Sequence, residues 1–310
     1  MEFFKPGTKI DFMGHRKPAV ILSILLIVIS IGSIVVNKFN FGIDFTGGTL
    51  IEVGYPEAVD LGEVRAALAG DFADAQVLHF GSARDVLIRL APRPDESSAA
   101  LSERVLRILR QGQAGVEMRR VEFVGPQVGE ELTEKGGLAI LYALIGILIY
   151  VALRFEYRFA VGAIAATLHD IIVVLGVFSL FRLEFDLTVV AAVLAVIGYS
   201  LNDTIVVFDR IRENFRRMRK GTPQEVMNVA INETLSRTIM TSGTTLLVVA
   251  AMFYFGGKVI HGFSLALLVG IVVGTFSSIY VASASVLALG LSKADLMPVK
   301  KEGAELDERP

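Results

Sequence analysis

Four ionisable residues lie inside long apolar stretches of the sequence: His169, Asp170, Asp203 and Arg237. An ionisable side chain in lipid is costly unless it is paired or hydrated, so residues of this kind commonly mark ion or proton pathways. A carboxyl group tends to lose its proton when a guanidinium approaches it, and to regain the proton when the guanidinium moves away. The pattern predicts a proton-coupling site built on Asp203 and Arg237, with Asp170 and His169 as further candidates.

Each of these residues also has a structural interpretation. Asp203 and Arg237 could form a static ion pair that locks two helices, or Arg237 could extend its guanidinium to the lipid headgroups. His169 could bond a backbone carbonyl at a helix interface instead of passing a proton. The residues alone leave these alternatives open.

Hydrolase chemistry fits the same residues poorly. Ser200 with His169 could imitate a catalytic triad, and Asp170 with Asp203 an aspartic dyad. The residues around Ser200 lack the second glycine of a nucleophile elbow, because Asn202 stands in its place. No HExxH motif, P-loop or cysteine is present. We therefore expect no enzymatic activity, no metal and no organic cofactor, with protons as the coupling ion.

Six apolar stretches must position these side chains. Apolar residues make up 53% of the 310-residue chain and the mean hydropathy is +0.58, more than one soluble core requires. A helix rises about 1.5 Å per residue and the hydrocarbon core is about 30 Å thick, so a span needs about 17 apolar residues or more. We place the spans at 19–36, 137–153, 160–181, 187–208, 239–255 and 262–290.

Basic residues predict the side of the membrane that each loop faces. Those that fall on one side are Lys5, Lys9, Arg16, Lys17, Arg154, Arg158, Arg210, Arg212, Arg216, Arg217, Arg219, Lys220, Lys293, Lys300 and Lys301. The positive-inside rule makes that side cytoplasmic. It therefore receives residues 1–18, a loop near 209–236 and the tail 292–310, and the five later spans occupy 137–291. The first span is an uncleaved anchor, because its apolar run is longer than that of a usual signal peptide.

Residues 37–136 predict one folded domain on the opposite side of the membrane. The segment alternates strand-like and helix-like patterns in the order βαββαβ. That order is typical of a ferredoxin-like fold, an antiparallel sheet with both helices on one face. Gly47 and Gly48 interrupt its first apolar run and predict a sharp bend. The fold class is therefore an α-helical polytopic membrane protein with six transmembrane helices and a small α+β ferredoxin-like domain between the first two.

Small residues at helical spacing predict close helix packing. They are Ala191, Ala195, Gly198 and Asn202 in the fourth span, and Gly270 and Gly274 in the sixth. A neighbouring helix can approach closely along such a stripe. Asp203 lies one position around from the first stripe, so we expect its carboxylate to border a packed interface. Hydroxyls in 241–245 and 275–285 are interpreted as partners within their own helices.

Four motifs give the chain a resemblance to a known family. They are FGIDFTGGT at 41–49, GYSLNDTIVVFDRIREN at 198–214, SRTIMTSGTT at 236–245 and GTFSSIYVASA at 274–284. Together with the context of His169 and Asp170, they resemble the SecF members of the SecD/SecF family of bacterial protein-export membrane proteins. Residues between about 56 and 120 match in position only.

The resemblance implies a function and its partners. It implies a resistance-nodulation-division-like subunit, paired with SecD, that uses the proton-motive force to assist protein export across the bacterial inner membrane. The SecYEG channel, YajC, YidC and the translocating polypeptide would be further partners. The family's proton-linked aspartate and arginine fall on Asp203 and Arg237, and its first motif contains Asp44, Gly47 and Gly48. The extramembrane domain would be periplasmic, with both termini cytoplasmic.

Alternative functions remain open at this point. One is half of a proton-driven exporter of small amphiphiles, although such pumps generally carry larger outer domains in a longer chain. Another is a non-transport scaffold of the Sec channel. A net charge of −2 gives no basic field, so we expect no nucleic-acid partner.

Overall fold

The structure is a computed structural model that describes residues 9–93, 96–218 and 220–291. Lys5, Arg219 and the predicted tail 292–310, with its three lysines, lie outside these residues. The helices are α1 (Arg16–Asn37), α2 (Ile43–Thr46), α3 (Leu61–Leu68), α4 (Ser98–Gly112), α5 (Pro126–Arg154), α6 (Tyr157–Leu180), α7 (Leu187–Arg217), α8 (Pro223–Phe255), α9 (His261–Ser277) and α10 (Ser283–Ala288). The strands are β1 (Asn40–Phe41), β2 (Gly48–Gly54), β3 (Gln76–Phe80), β4 (Ser82–Leu90), β5 (Glu117–Val124) and β6 (Glu184–Phe185).

Six helical segments of the described chain are long and apolar enough to cross a membrane, as predicted. They are α1, α5, α6, α7, α8 and the composite sixth segment Lys258–Ala288. The sixth segment contains a 3₁₀ turn at Lys258–Ile260 and a π-helical turn at Ser278–Ala282. Its interruption agrees with the unusual length of the predicted sixth span.

Several helices extend well beyond the predicted spans. With 31 residues α7 is about 46 Å long, and with 33 residues α8 is about 50 Å long, so both exceed a hydrocarbon core of about 30 Å. The predicted loop near 209–236 is therefore mostly helical. Hydropathy marks where polar residues begin, whereas α8 begins where the capping box of Thr222 and Glu225 satisfies its first backbone N–H groups.

The central helices of the bundle are α6 and α7. Over half of the apolar window of each is buried within the chain, 61% in α6 and 56% in α7, against 11% in α5. The apolar side chains of α1, α5 and α8 consequently point outward, which is appropriate for helices that face lipid or another subunit. The polar residues predicted to carry chemistry lie on or beside the two central helices.

The segment between α1 and α5 folds as a four-stranded antiparallel sheet with the strand order β3-β4-β2-β5. Helices α3 and α4 pack together and against the sheet. Their common core contains Ile51, Val53, Val64, Leu68, Phe72, Val77, Val86, Ile88, Leu101, Val105 and Leu109. A separate pair of parallel strands, β1 and β6, joins the start of the segment to the link between α6 and α7.

The predicted bend at Gly47 and Gly48 is confirmed. Their φ angles are +66° and +123°, in the region that favours glycine. A Cβ on Gly48 would lie 2.3 Å from the carbonyl oxygen of Leu90 on the neighbouring strand. A Cβ on Gly129 of α5 would lie 2.9 Å from the backbone nitrogen of Gly47. The two glycines therefore let β2 enter the sheet while the start of α5 packs against the bend.

Candidate functional site

Asp170 lies in the middle of α6 and is 1% exposed. Its Oδ2 atom accepts hydrogen bonds from Ser200 of α7 at 2.5 Å and from Ser277 of α9 at 2.7 Å. Its Oδ1 atom lies 2.9 Å from Nδ1 of the adjacent His169, which is equally buried. Three helices therefore contribute to one carboxylate. Because its hydrogen bonds compensate the cost of burial, Asp170 can remain in this apolar bundle.

Asp203 lies on α7 and is 7% exposed. Thr238 of α8 donates its hydroxyl to Oδ1 at 2.6 Å, and Ser278 of the π turn donates to Oδ2 at 2.5 Å. Both lengths are typical of hydroxyl bonds to a carboxylate. The prediction that Asp203 borders a packed interface is confirmed, since its oxygens connect α7 to α8 and to the sixth segment.

Close packing of α9 on α7 brings Ser277 and Ser278 to these carboxylates. A Cβ on Gly270 would lie 2.2 Å from Val196, and a Cβ on Gly274 would lie 3.1 Å from Ser200. The absence of side chains at both glycines thus permits the approach. The structure places Gly270 and Gly274 in a helix contact, where a small-residue stripe was expected.

The other predicted stripe does not pack within the described chain. Ala191, Ala195, Gly198 and Asn202 are all exposed, and a Cβ on Gly198 would meet nothing within 4 Å. The stripe therefore stays a predicted helix-packing face, with no neighbouring helix on it among the described residues. The packed face of α7 lies one position further around and carries larger residues, among them Val193, Val196 and Ile197. Small size alone does not select the buried face, because branched residues such as Val196 fit against glycine on α9.

Arg237 is exposed and forms no ion pair with Asp203 in the described structure. It immediately precedes Thr238, whose hydroxyl contacts Asp203, and it is the basic residue that interacts electrostatically with that carboxylate. The static ion pair considered from the sequence is therefore absent from this conformation. Bringing the guanidinium to the position of the Thr238 hydroxyl would require α8 to rotate by about 100°, because that angle separates neighbouring residues around a helix of 3.6 residues per turn.

The arrangement differs from the serine–histidine alternative. Ser200 donates to Asp170 and not to His169, whereas a nucleophilic serine needs a base that accepts its proton. Among residues 9–93, 96–218 and 220–291, no group of three or more His, Cys, Asp or Glu residues could hold a metal ion. Within the part of the chain that the structure describes, the Nε2 atom of His169 and the hydroxyl of Tyr199 are buried without a partner. The site brings together two buried carboxylates that hydroxyls of neighbouring helices hold.

The sequence interpretation missed the donors to both carboxylates. Hydroxyls in the fifth and sixth spans were assigned to their own helices, and Thr241, Thr244 and Thr245 do bond backbone carbonyls there. Ser277 and Ser278 bond carbonyls of their own segment as well, but they also donate to carboxylates on other helices. Consecutive side chains face different sides of a helix. The adjacency of the two serines was therefore an available signal that their hydroxyls have different partners.

The family-motif residue Asp44 belongs to the boundary between the sheet domain and the bundle. Its Oδ2 accepts the backbone N–H of Leu187 at 2.9 Å, and Asp186 caps the same helix by accepting from Val189. Two carboxylates at the start of α7 suit the positive end of the helix dipole. Asp44 is thus a structural link to the helix that carries Asp203.

Three titratable groups outside the spans are perturbed by their surroundings. Burial raises the pKa of Glu184, although Arg89 beside it acts in the opposite direction. The hydroxyl of Ser82 lowers the pKa of Asp85, assisted by Lys258 and Arg119. Burial raises the pKa of Tyr55 to about 12. Glu184 and Asp85 contact basic residues across the boundary between the domain and the bundle, so their charges contribute to holding it.

Fold and site together define a multi-pass membrane protein that keeps ionisable groups inside its helix bundle, as transporters and pumps do. Residues 104–292 match the model of the protein-export membrane protein SecD/SecF C-terminal region, and residues 32–55 match the SecD/SecF GG motif. The chain belongs to the SecD/SecF family.

Relatives of known name support the same assignment. The chain is 58% identical to the protein translocase subunit SecF of Vibrio alginolyticus, an alignment that covers 100% of this chain and 99% of that relative. It is 52% identical to the protein translocase subunit SecF of Pseudomonas aeruginosa, over 99% of each chain.

Two solved structures are similar to the fold. The crystal structure of SecDF from Thermus thermophilus, a translocon-associated membrane protein, matches with a TM-score of 0.85 and 40% identity over 93% of this chain. SecDF in a super-membrane-facing form matches with a TM-score of 0.70 and 39% identity over the same share. The chain spans 39% of the length of each of these SecDF chains.

Proposed function

We propose that this chain is a SecF-type accessory subunit of the Sec protein translocase, and that it uses the proton-motive force to assist protein export across the bacterial inner membrane. The observation that carries the proposal is Asp203, a buried carboxylate held by hydroxyls, with the exposed cation Arg237 one residue from the donor Thr238. Full-length similarity to protein translocase subunits SecF supports the export role. Asp170 and His169 are proposed as secondary proton-coupling groups.

The proposed step is an exchange of partners at Asp203. A charged carboxylate accepts the hydroxyls of Thr238 and Ser278, while a neutral carboxyl accepts more weakly and donates a proton of its own. Gaining or losing a proton therefore changes which contacts of α8 and the sixth segment are favoured. Each proton that crosses a potential of 100 mV supplies about 2.3 kcal/mol, enough to shift a two-state equilibrium by more than tenfold.

We propose that the movement reaches the extramembrane domain through two links. Arg89 of β4 contacts Glu184 between α6 and α7 at 2.5 Å, and Lys258 between α8 and α9 lies 3.5 Å from Asp85 and 3.8 Å from Glu52. Rotation of the helices would pull on these ion pairs. The link residues thus provide a route from a proton event to the domain.

The topology proposal follows from the sheet and the charges. The strand order β3-β4-β2-β5, with two helices packed against it, supports a ferredoxin-like domain. Basic residues on the other side support a periplasmic position for this domain and cytoplasmic termini. The chain's similarity to part of a longer SecDF chain supports a SecD partner. Association with SecYEG, YajC and YidC remains a prediction from the resemblance.

The variant Asp203→Asn tests the proposal. It keeps the shape, and its amide oxygen can accept one hydroxyl while its NH2 group donates to the other, but it cannot titrate. We therefore expect normal accumulation and SecD association with loss of proton-driven export. The measurement is export of a reporter protein by cells that depend on the tagged chain, with and without an uncoupler.

Other outcomes separate the alternatives. Unchanged uncoupler-sensitive export in Asp203→Asn would contradict the coupling role and favour a scaffold. Failure of the variant to accumulate would favour a structural lock. Proton-dependent efflux of a dye with normal protein export would favour the amphiphile exporter.

A further inference from the structure

Two consecutive serines connect the two buried carboxylates. Ser277 ends α9 and donates to Asp170 at 2.7 Å, while Ser278 begins the π turn and donates to Asp203 at 2.5 Å. Both serines are fully buried, and one peptide bond joins them. Asp170 and Asp203 lie on different helices, but the charge state of each affects a hydrogen bond of one of two adjacent residues in the sixth segment.

Each serine also has a second acceptor in its own helix. The hydroxyl of Ser277 lies 3.1 Å from the carbonyl oxygen of Gly274, and that of Ser278 lies 3.0 Å from the carbonyl oxygen of Thr275. A hydroxyl carries one proton, so it can donate fully to only one of the two acceptors at a time. A charged carboxylate is the stronger acceptor, and a neutral one leaves the backbone carbonyl as the better choice.

The backbone at the pair is unusual. The π turn Ser278–Ala282 interrupts two α-helical stretches, and Ser283 donates its hydroxyl to the carbonyl oxygen of Ser278 at 3.3 Å. Single π turns inside α-helices occur frequently at functional sites. Each backbone hydrogen bond of a π turn spans one residue more than in an α-helix. The helix after the turn can therefore rotate relative to the helix before it.

We propose that Ser277 and Ser278, the serine pair, are positioning residues that couple the protonation of Asp170 to that of Asp203 and pass the combined state to the π turn. The inference rests on the proposed proton-coupling function and deepens it. When both carboxylates are charged, the serine pair binds α6 and α7. When either gains a proton, its serine turns to its own backbone and releases that helix.

Other titratable groups share this region of the bundle. On the helices packed around the serine pair, the described titratable residues at this depth are His169, Asp170, Tyr199, Asp203, Arg237 and Tyr280. Of these, only Asp170 and Asp203 accept a serine-pair hydroxyl. A change in the serine pair should therefore act on the two carboxylates first.

The test compares Ser278→Ala and Ser277→Ala with Ser278→Thr in the full chain, co-expressed with its SecD partner. Uncoupler-sensitive export is measured across a pH series. Loss of a hydroxyl that stabilises a charged carboxylate should move the pH midpoint upward by about one pH unit in each alanine variant. Ser278→Thr keeps the hydroxyl and should restore the midpoint. Ser264→Ala is the matched control, because Ser264 is a buried serine of α9 that donates only to its own helix, at Ile260.

A second readout addresses the π turn directly. Amide hydrogen exchange in residues 278–283 should depend on pH in the unmodified chain and lose that dependence in both alanine variants, even where one carboxylate keeps its serine. Unshifted export profiles with unchanged exchange would overturn the coupling role of the serine pair. If Asp203→Asn abolishes proton-driven export while both serine variants behave as the parent, only this inference fails. If Asp203→Asn is itself without effect, the proposed function fails.

Discussion

At the scale of single residues, Asp203 and Asp170 show how carboxylates are retained in an apolar bundle without a paired cation. Each accepts two hydroxyls from neighbouring helices, and Asp170 adds the adjacent imidazole. Breaking a buried ion pair leaves an uncompensated charge, whereas a hydroxyl can rotate to another acceptor at little cost. Hydroxyl donors therefore suit a carboxylate whose charge changes during function.

A residue-scale prediction concerns acid stability in the extramembrane domain. The pKa of Asp85 is lowered, first by the hydroxyl of Ser82, so its carboxylate contributes stability above the ordinary value of 3.8. That contribution is lost as the pH falls through the lowered pKa. Ser82→Ala should cost about 1 kcal/mol at neutral pH, and the difference should vanish in strong acid.

The measurement is thermal unfolding of the detergent-solubilised chain, followed by circular dichroism across a pH series. The control is the same substitution in an Asp85→Asn background, where it should have no pH-dependent effect. A pH-dependent loss that persists in that background would assign the effect to another group.

At the scale of elements, glycines decide how closely the backbone segments approach. Gly270 and Gly274 admit α7 against α9, and Gly47 and Gly48 admit α5 against the bend before β2. The first approach brings the serine pair within reach of the carboxylates. The second connects the extramembrane sheet to the bundle. In both cases the absent side chain is the feature that the neighbouring element requires.

An element-scale prediction follows for Gly48→Ala. The Cβ would meet the carbonyl oxygen of Leu90 at 2.3 Å, and a non-glycine residue at φ +123° adds strain of about 1–3 kcal/mol. We expect a lower thermal-unfolding midpoint and weaker accumulation in membranes. Gly137→Ala is the control, because a Cβ there meets nothing within 4 Å and alanine favours a helix by about 1 kcal/mol. Equal midpoints for the two variants would contradict the steric explanation.

At the scale of the whole molecule, two ion-pair links connect the extramembrane domain to the helices of the site. Glu184 lies between α6 and α7, and Lys258 lies between α8 and α9, so the links attach to both sides of the buried carboxylates. A cavity of about 490 Å³ between the sheet and the bundle is lined by both residues. The ion pairs and the cavity therefore lie at the same boundary between the domain and the bundle.

Lys258→Ala tests this link. Removing the ammonium deprives Glu52 and Asp85 of their contact with the bundle, and also removes a cation from the ring of Phe80 at 4.2 Å. Amide exchange in 256–260 and in the turn between β3 and β4 should increase, while central strand β2 stays protected. Lys135→Ala is the matched control, since Lys135 pairs only with Glu131 on the same helix. Equal exchange in both variants would exclude a mechanical role for Lys258.

Consecutive residues carry enough information to predict the six apolar helices, the glycine bend and the candidate carboxylates. Each depends on local hydropathy or on the conformational range of one residue type, and neither requires knowledge of distant neighbours. Asp203 and Asp170 were selected for the same reason, because the cost of charge in lipid is a property of the segment that contains it, and their role in proton coupling stays a prediction.

Only the tertiary structure decided which groups hold those carboxylates. The donors Ser200, Thr238, Ser277 and Ser278 come from up to 107 residues away, and their choice depends on which helix faces turn toward each other. The stripe from Ala191 to Asn202 is exposed in the described chain, and its packing stays a prediction because helical period defines a face but not its neighbour. The sequence left the pairing of Arg237 with Asp203 open, and the structure places Arg237 on an exposed side of α8. Helix rotation is set by packing of the whole bundle and not by the sequence around one residue.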